Sequence, residues 1–289
     1  MKRLTVIVTA IVLVAGSAAQ SANITIFDGM SGGFYSWYNT TQEDQEVEPN
    51  TSPSQRWDLE AFLLDGSTLT LIGGFDFVNG VYENSSRPDQ VRQDIWDAGD
   101  IFIDVNGDAV YGSAIDMAQY DVAARHVYDN FGYDYVLDID WEGALTYDVL
   151  ALTNPDDPLL TVYFDQNEWA NPWRYVEGGS AVDGYQDLAL IDYYSDAGSV
   201  VEGVALEGGS ADYPHYVAKF DLGFLNLGDV DEMYVHTTLE CGNDSLMGYT
   251  DNPGLLGGDT VDYTVPDGGA TIALLGVALV GLAALAGRR

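Results

Sequence analysis

Tyr133-Asp134-Tyr135-Val136-Leu137-Asp138-Ile139-Asp140 alternates apolar and acidic residues along most of its length. Successive side chains of a strand point to opposite faces, so this stretch is predicted to be a half-buried strand. Tyr133, Tyr135, Leu137 and Ile139 would face inward. Asp134, Asp138 and Asp140 would share the other face with Val136. The same period returns in Leu145, Tyr147, Val149 and Ala151, opposite Thr146 and Asp148. It returns again in Tyr216, Ala218, Phe220 and Leu222, and in Tyr234, His236 and Thr238 against Val235, Thr237 and Leu239. Shorter strand candidates lie at 23–27, 56–64, 68–72, 101–105, 159–164, 187–192 and 200–206, separated by Gly, Asn, Asp and Pro clusters. Helical periodicity is confined to one or two turns within 114–127. Many short strands, one polar face each and no βαβ rhythm predict an all-β fold. The expected form is an antiparallel β-sandwich of jelly-roll or carbohydrate-binding-module-like type.

The two ends read differently from this body. Lys2 and Arg3 precede an apolar run from Leu4 to Ala15, and small residues follow at 17–21. That is the order of a secretory signal peptide, expected over residues 1–22. At the other end, residues 270–287 hold no charge. As a helix this run is about 27 Å long at ~1.5 Å per residue, enough for one thin-bilayer crossing. Arg288 and Arg289 end the chain and favour the cytoplasmic side, which leaves everything upstream outside. The expected organisation is therefore a signal peptide (1–22), an acidic ectodomain (23–247), a Gly- and Asp-rich spacer (248–264), and a tail (265–289) with a transmembrane helix over 270–287. The polar stretch 40–53 is expected to be a long surface loop.

The tail opens with Val265-Pro266-Asp267-Gly268-Gly269. With Thr271, Leu274-Leu275-Gly276, Arg288 and Arg289, it resembles the PEP-CTERM class of sorting signal. It is nearest the variant written VPDSG, with Gly269 in place of Ser. The resemblance implies recognition by an exosortase, a membrane transpeptidase-like protease, and cleavage near the motif. It implies an exported protein held briefly at the inner membrane by its C-terminal helix, then delivered to the cell surface or extracellular matrix. Residues 100–112, 132–140 and 238–248 also resemble the ectodomains of exosortase-dependent surface proteins to which no activity is assigned. That wider likeness carries no activity over to this chain.

Between its two signals the chain keeps six basic side chains, Arg56, Arg87, Arg92, Arg125, Arg174 and Lys219, against 45 of the 46 acids, a formal charge of −39. Such a surface repels nucleic-acid phosphates, so no nucleic-acid partner is expected. Abundant aromatic and aliphatic residues exclude a disordered polyanion. Cys241 is the only cysteine, so no internal disulfide forms, and a buried thiol is expected.

Three chemistries can be weighed. Asp104, Asn106 and Asp108 place oxygen donors at alternate positions, as a Ca²⁺ loop does, and the start resembles dockerin and EF-hand loops. Ala109 then stands where that loop needs Gly, and Ile115 where it needs its final carboxylate. A hairpin turning at Asn106-Gly107, with strands at 101–105 and 109–111, is the stronger reading. Asp97, Asp100, Asp134, Asp138 and Asp140 are candidates to join such an acidic cluster. Trp169 and Trp173, near Asn167, Glu168 and Asn171, are the candidate stacking platform for an extracellular polysaccharide. For catalysis there is no Gly-x-Ser-x-Gly, no HExxH and no phosphate loop, and His126, His215 and His236 stand alone. No enzyme activity and no cofactor are expected, with Ca²⁺ as the one candidate ion.

Overall fold

The computed structural model describes residues 21–26, 47, 51–52, 54–82, 95–109, 120–121, 126–161 and 170–255. The chain divides into units 1–258 and 259–289, and the second lies outside the described residues. So do residues 1–20, the apolar run 270–287, most of the expected loop 40–53, and much of the expected helical stretch 114–127. Among the described residues no helix is long and apolar enough to cross a membrane.

The described body is all-β, with antiparallel pairing throughout and only short 3-10 turns. A five-stranded sheet runs β1 (Ala22–Asn23), β3 (Leu59–Asp65), β4 (Thr68–Gly73), β19 (His215–Asp221) and β16 (Asp192–Asp196). A larger sheet runs β14 (Ser180–Ala181), β11 (Thr146–Ala151), β10 (Tyr135–Asp140), β7 (Ile101–Asp104), β20 (Glu232–Thr238), β21 (Ser245–Asp251) and β2 (Thr25–Ile26). Strand β15 (Leu188–Ala189) also pairs with β11. A four-stranded sheet holds β13 (Arg174–Tyr175), β12 (Pro158–Leu160), β9 (His126–Tyr128) and β8 (Tyr120–Asp121). Two small pairs remain, β17 (Val200–Val201) with β18 (Val204–Ala205) and β5 (Val81–Tyr82) with β6 (Ile95–Trp96).

The alternation holds over 135–140, whereas Tyr133, expected to face inward with these residues, lies before β10 and packs with Val136 and Phe102 in a second cluster. Leu137 and Ile139 enter the main core beside Tyr147 and Val149 of β11, while Asp138 and Asp140 face away. Phe62, Leu64, Leu69, Leu71, Ala218 and Phe220 of the five-stranded sheet join the same core. The two sheets thus bury their apolar faces in one cluster, the dominant stabilising term in any fold. A hydrogen bond crosses between them: the Asp221 backbone N–H donates to the Tyr147 hydroxyl at 2.8 Å. The chain start also links them. β1 pairs with β3, then β2 pairs with β21, and buried Ile24 lies at the crossing.

The expectation of one polar face per strand fails at two places. Ile101, Phe102, Ile103 and Asp104 are all buried. Phe102 and Val136 point outward from the larger sheet into a second cluster with Val127 and Leu159 of the four-stranded sheet. Behind the five-stranded sheet, Ala61, Leu63, Ile72 and Val217 are covered by Val201 and Leu206 near the β17–β18 pair. Gly248 to Asp251 belong to β21, so the first part of the expected spacer is an ordered strand of the body. The described residues of the 114–127 stretch lie in two strands, Tyr120–Asp121 and His126–Tyr128.

Candidate functional site

Asp104, Asn106 and Asp108 follow the C-terminal end of β7. Asp104 Oδ1 accepts the N–H groups of Asn106 and Gly107, each at 2.8 Å, and Oδ2 accepts that of Ala109 at 2.9 Å. Asn106 Oδ1 accepts the Asp108 N–H at 3.0 Å. Asp134 completes the turn, accepting from Val105 N–H at 2.8 Å and Asn106 Nδ2 at 3.0 Å. The loop is thus closed by carboxylates bonded to its own backbone. Burial raises the pKa of Asp134, helped by the charges of Asp104 and Asp108 and opposed by the Val105 N–H. Among the described residues no group of three His, Cys, Asp or Glu side chains is placed to hold a metal ion. Residues 110 and 111 of the expected hairpin lie outside the described residues. Among the described residues both edges of β7 are paired, one with β10 and the other with β20. Gly107 takes a positive φ of 77°, and a Cβ there would stand 2.3 Å from Glu232 Oε1.

The other predicted acids gather elsewhere. Asp138 of β10 lies directly opposite Asp148 of β11, on the outer face. With Asp140, Glu142, Asp187 and Arg174 they line an open cleft of about 400 Å³. Arg174 is the one cation among these lining residues. Asp138 is pushed up by burial and by the Asp148 charge, and held down by Arg174. Asp97 is raised by burial and by Glu142, again against Arg174. Asp100 lies behind the cleft, with no exposed surface. Its Oδ1 accepts the Ile139 N–H at 3.0 Å and its Oδ2 accepts the Tyr175 N–H at 2.9 Å. It therefore ties β10 to β13. Burial first, then the Asp138 charge, push its pKa up to about 7, while Arg174 and the two N–H groups oppose the rise.

The cleft is thus an anionic sheet face organised around one guanidinium. Sequence reasoning missed Arg174 and Asp148 because their neighbours come from separate strands. The available signal was the scarcity of basic residues, which gives each of the six a large electrostatic burden.

A pH effect follows. The folded pKa of Asp100 lies above its usual 3.8, so the unfolded chain releases this proton first as pH rises. The stability linked to protonated Asp100 is complete below about pH 4 and is lost as pH rises through about 7. Melting temperatures taken from pH 4 to 8 should fall across that window. Asp100→Asn should melt lower at acidic pH, where its amide N–H₂ opposes a backbone N–H, and should show a flatter pH slope. An unchanged slope would place the titration in other groups.

Trp173 is only 4 % exposed and packs with Ala170 and Leu160. Its ring lies 5.3 Å from the Arg174 guanidinium carbon, and its backbone N–H donates to the Leu160 carbonyl at 2.9 Å. It presents no open stacking platform, which corrects the sequence expectation for this residue. Asn171 is likewise fully buried. Trp169, Asn167 and Glu168 lie outside the described residues, as do Val265, Pro266, Asp267, Gly268, Gly269, Arg288 and Arg289. His236 is buried against the rings of Phe102 and Tyr133, and burial lowers its pKa to about 3, so it stays neutral. Cys241 is buried. No family model matches the chain, and neither a curated protein nor a solved structure matches it.

Proposed function

We propose that this chain is an exported, non-enzymatic protein of the cell surface or extracellular matrix, delivered by an exosortase. Its β body is of sandwich type, jelly-roll or carbohydrate-binding-module-like. The observation that carries the reading is the pair of end signals around a strongly acidic body. A basic and apolar leader comes first, and Val265-Pro266-Asp267-Gly268-Gly269, an uncharged run and two arginines come last. Removal of the leader before Ala22 leaves β1 whole, whereas cleavage after Ala22 takes away half of that strand. The non-enzymatic reading is supported by Asp100. The Asp100 carboxyl group, with its pKa raised to about 7, is enclosed and bonded to two backbone N–H groups, so it serves as a tie between strands.

The C-terminal helix serves as a temporary membrane anchor until the protease acts. Pro266→Ala, or truncation after Thr264, is expected to prevent tail cleavage and surface delivery in a host that carries an exosortase. Fractionation and immunoblotting of the cells read this directly. Delivery and processing identical to wild type would remove the sorting proposal. Nucleic acid is not a partner on charge grounds.

A further inference from the structure

Three candidates stand out: the anionic cleft at Arg174, the buried Glu60–His215 pair, and a second cleft near β5. The first is an acidic cluster with a single cation, and nothing beside it points to a ligand. The second is enclosed, with neither side chain exposed. The third is different, because its aromatic side chains are left open to solvent.

This cleft, of about 260 Å³, is lined by Tyr82, Tyr213 and Tyr216 together with Arg56, Asp76 and Asp212. Tyr82 is 57 % exposed and Tyr213 is 55 % exposed. Among the described residues six large apolar side chains are exposed, and two of them line the same cleft. Exposed tyrosines scattered singly need no explanation, but two converging on one concavity do.

The frame behind them is built of paired strands and a bonded turn. Tyr216 lies in β19 opposite Gly73, and Tyr82 lies in β5, paired to Ile95. Asp76 holds the intervening turn through the N–H groups of Val78 and Asn79, at 3.2 and 3.0 Å. Burial first, then the charge of the same carboxylate, raise the pKa of the Tyr216 hydroxyl beside it. Arg56 is fixed at the rim with its guanidinium carbon 5.4 Å from the centre of the buried Trp57 ring.

Charge narrows the ligand. A cation would meet the Arg56 guanidinium. An anion would meet Asp76, Asp212 and a body of formal charge −39. A neutral ligand escapes both costs. Tyrosine rings offer an apolar face with a polar tip, while carboxylates and a guanidinium accept from and donate to hydroxyls. A pyranose ring carries both matching surfaces, an apolar C–H face and a rim of hydroxyls. The volume lies just below the ~300 Å³ at which drug-sized sites begin, which suits one ring rather than a buried oligomer.

We propose that the Tyr82–Tyr213–Tyr216 cleft binds a neutral sugar ring, either as a free monosaccharide or as one residue of a polysaccharide. The proposal does not depend on how the tail is processed, so it and the sorting reading fail separately. The test uses the purified full chain in detergent, screened on an array of neutral glycans and then titrated calorimetrically. Binding of at least one neutral glycan is expected, weakened tenfold or more by Tyr82→Ala and by Tyr213→Ala at unchanged melting temperature. Tyr82→Phe should keep most of the affinity, since the ring face remains. Tyr128→Ala, which removes a ring 48 % exposed that does not line the cleft, should leave it unchanged. Binding of the oligomer but not the monosaccharide identifies a polysaccharide as the source. The proposal is overturned by an array with no neutral hit, by affinity that survives both alanine variants, or by preference for choline over every sugar.

Discussion

Trp141→Ala is expected to lower the free energy of unfolding by about 3–5 kcal/mol, the range for truncating a large buried aromatic. Trp141 is 1 % exposed and stands in the turn that follows β10. It stacks on Phe77 with ring centres 5.1 Å apart and meets Phe220 of the opposite sheet edge-on at 6.1 Å. Its Nε1–H donates to the Gly99 carbonyl at 2.9 Å, within the buried interior. Alanine would therefore open a cavity between the sheets and leave that carbonyl without its donor, and both effects act in the same direction. Gly99 has no room to adjust, since a Cβ there would stand 2.5 Å from the backbone oxygens of both Thr238 and Trp173. Urea unfolding should show a lower midpoint at unchanged slope. A loss below about 1 kcal/mol would mean that the two sheets do not share one core at this point.

Glu60→Ala is expected to cost about 1–3 kcal/mol, because it removes the buried carboxylate that bonds to the His215 imidazole. Glu60 and His215 are both fully enclosed, with His215 Nδ1 2.7 Å from Glu60 Oε2. Gln55 Nε2 also bonds to Glu60. The backbone of Gly209 lies close against the imidazole, where a Cβ would stand 2.2 Å from Nε2. The site thus has little space to admit water as a substitute partner. Glu60→Gln keeps a hydrogen-bond acceptor and should lose less than alanine does. Thermal melting of the two variants side by side separates the outcomes. Equal, small losses in both would show that the pair contributes little to holding β3 against β19.

Much of the fold was legible because strand burial follows a period of two. Leu137 and Ile139 were placed inward by alternation alone, and Ala218 and Phe220 likewise. What alternation could not show is a strand covered on both faces. Ile101-Phe102-Ile103 carried that signal as an unbroken apolar run, which suits a strand buried on both sides. The stretch 56–64 was read as one strand, yet it is a 3-10 turn at Gln55–Trp57 followed by β3. A register shift between Leu59 and Ala61 breaks the alternation there and places Leu59 in the main core with Phe62 and Leu64.

The sites were less legible than the strands. Asp104, Asn106 and Asp108 have the spacing of an ion loop, but the spacing alone could not reveal that Asp104 is engaged with three backbone N–H groups. Trp173 was singled out for its neighbours in sequence, whereas its burial depends on Leu160 and Ala170. The open tyrosines went unmarked because Tyr82 and Tyr213 are far apart in the chain and meet only through the sheet. A ring type common in any β protein gives no hint of which copies face water.

The export and sorting proposal is tested most directly by the intact mass of the chain recovered from the surface or medium of its host. A species that begins near Ser21 and ends within or close to the motif at 265–269 is the expected result. A chain that keeps residues 1–20 and the apolar run 270–287, or one found only inside the cell, would contradict it.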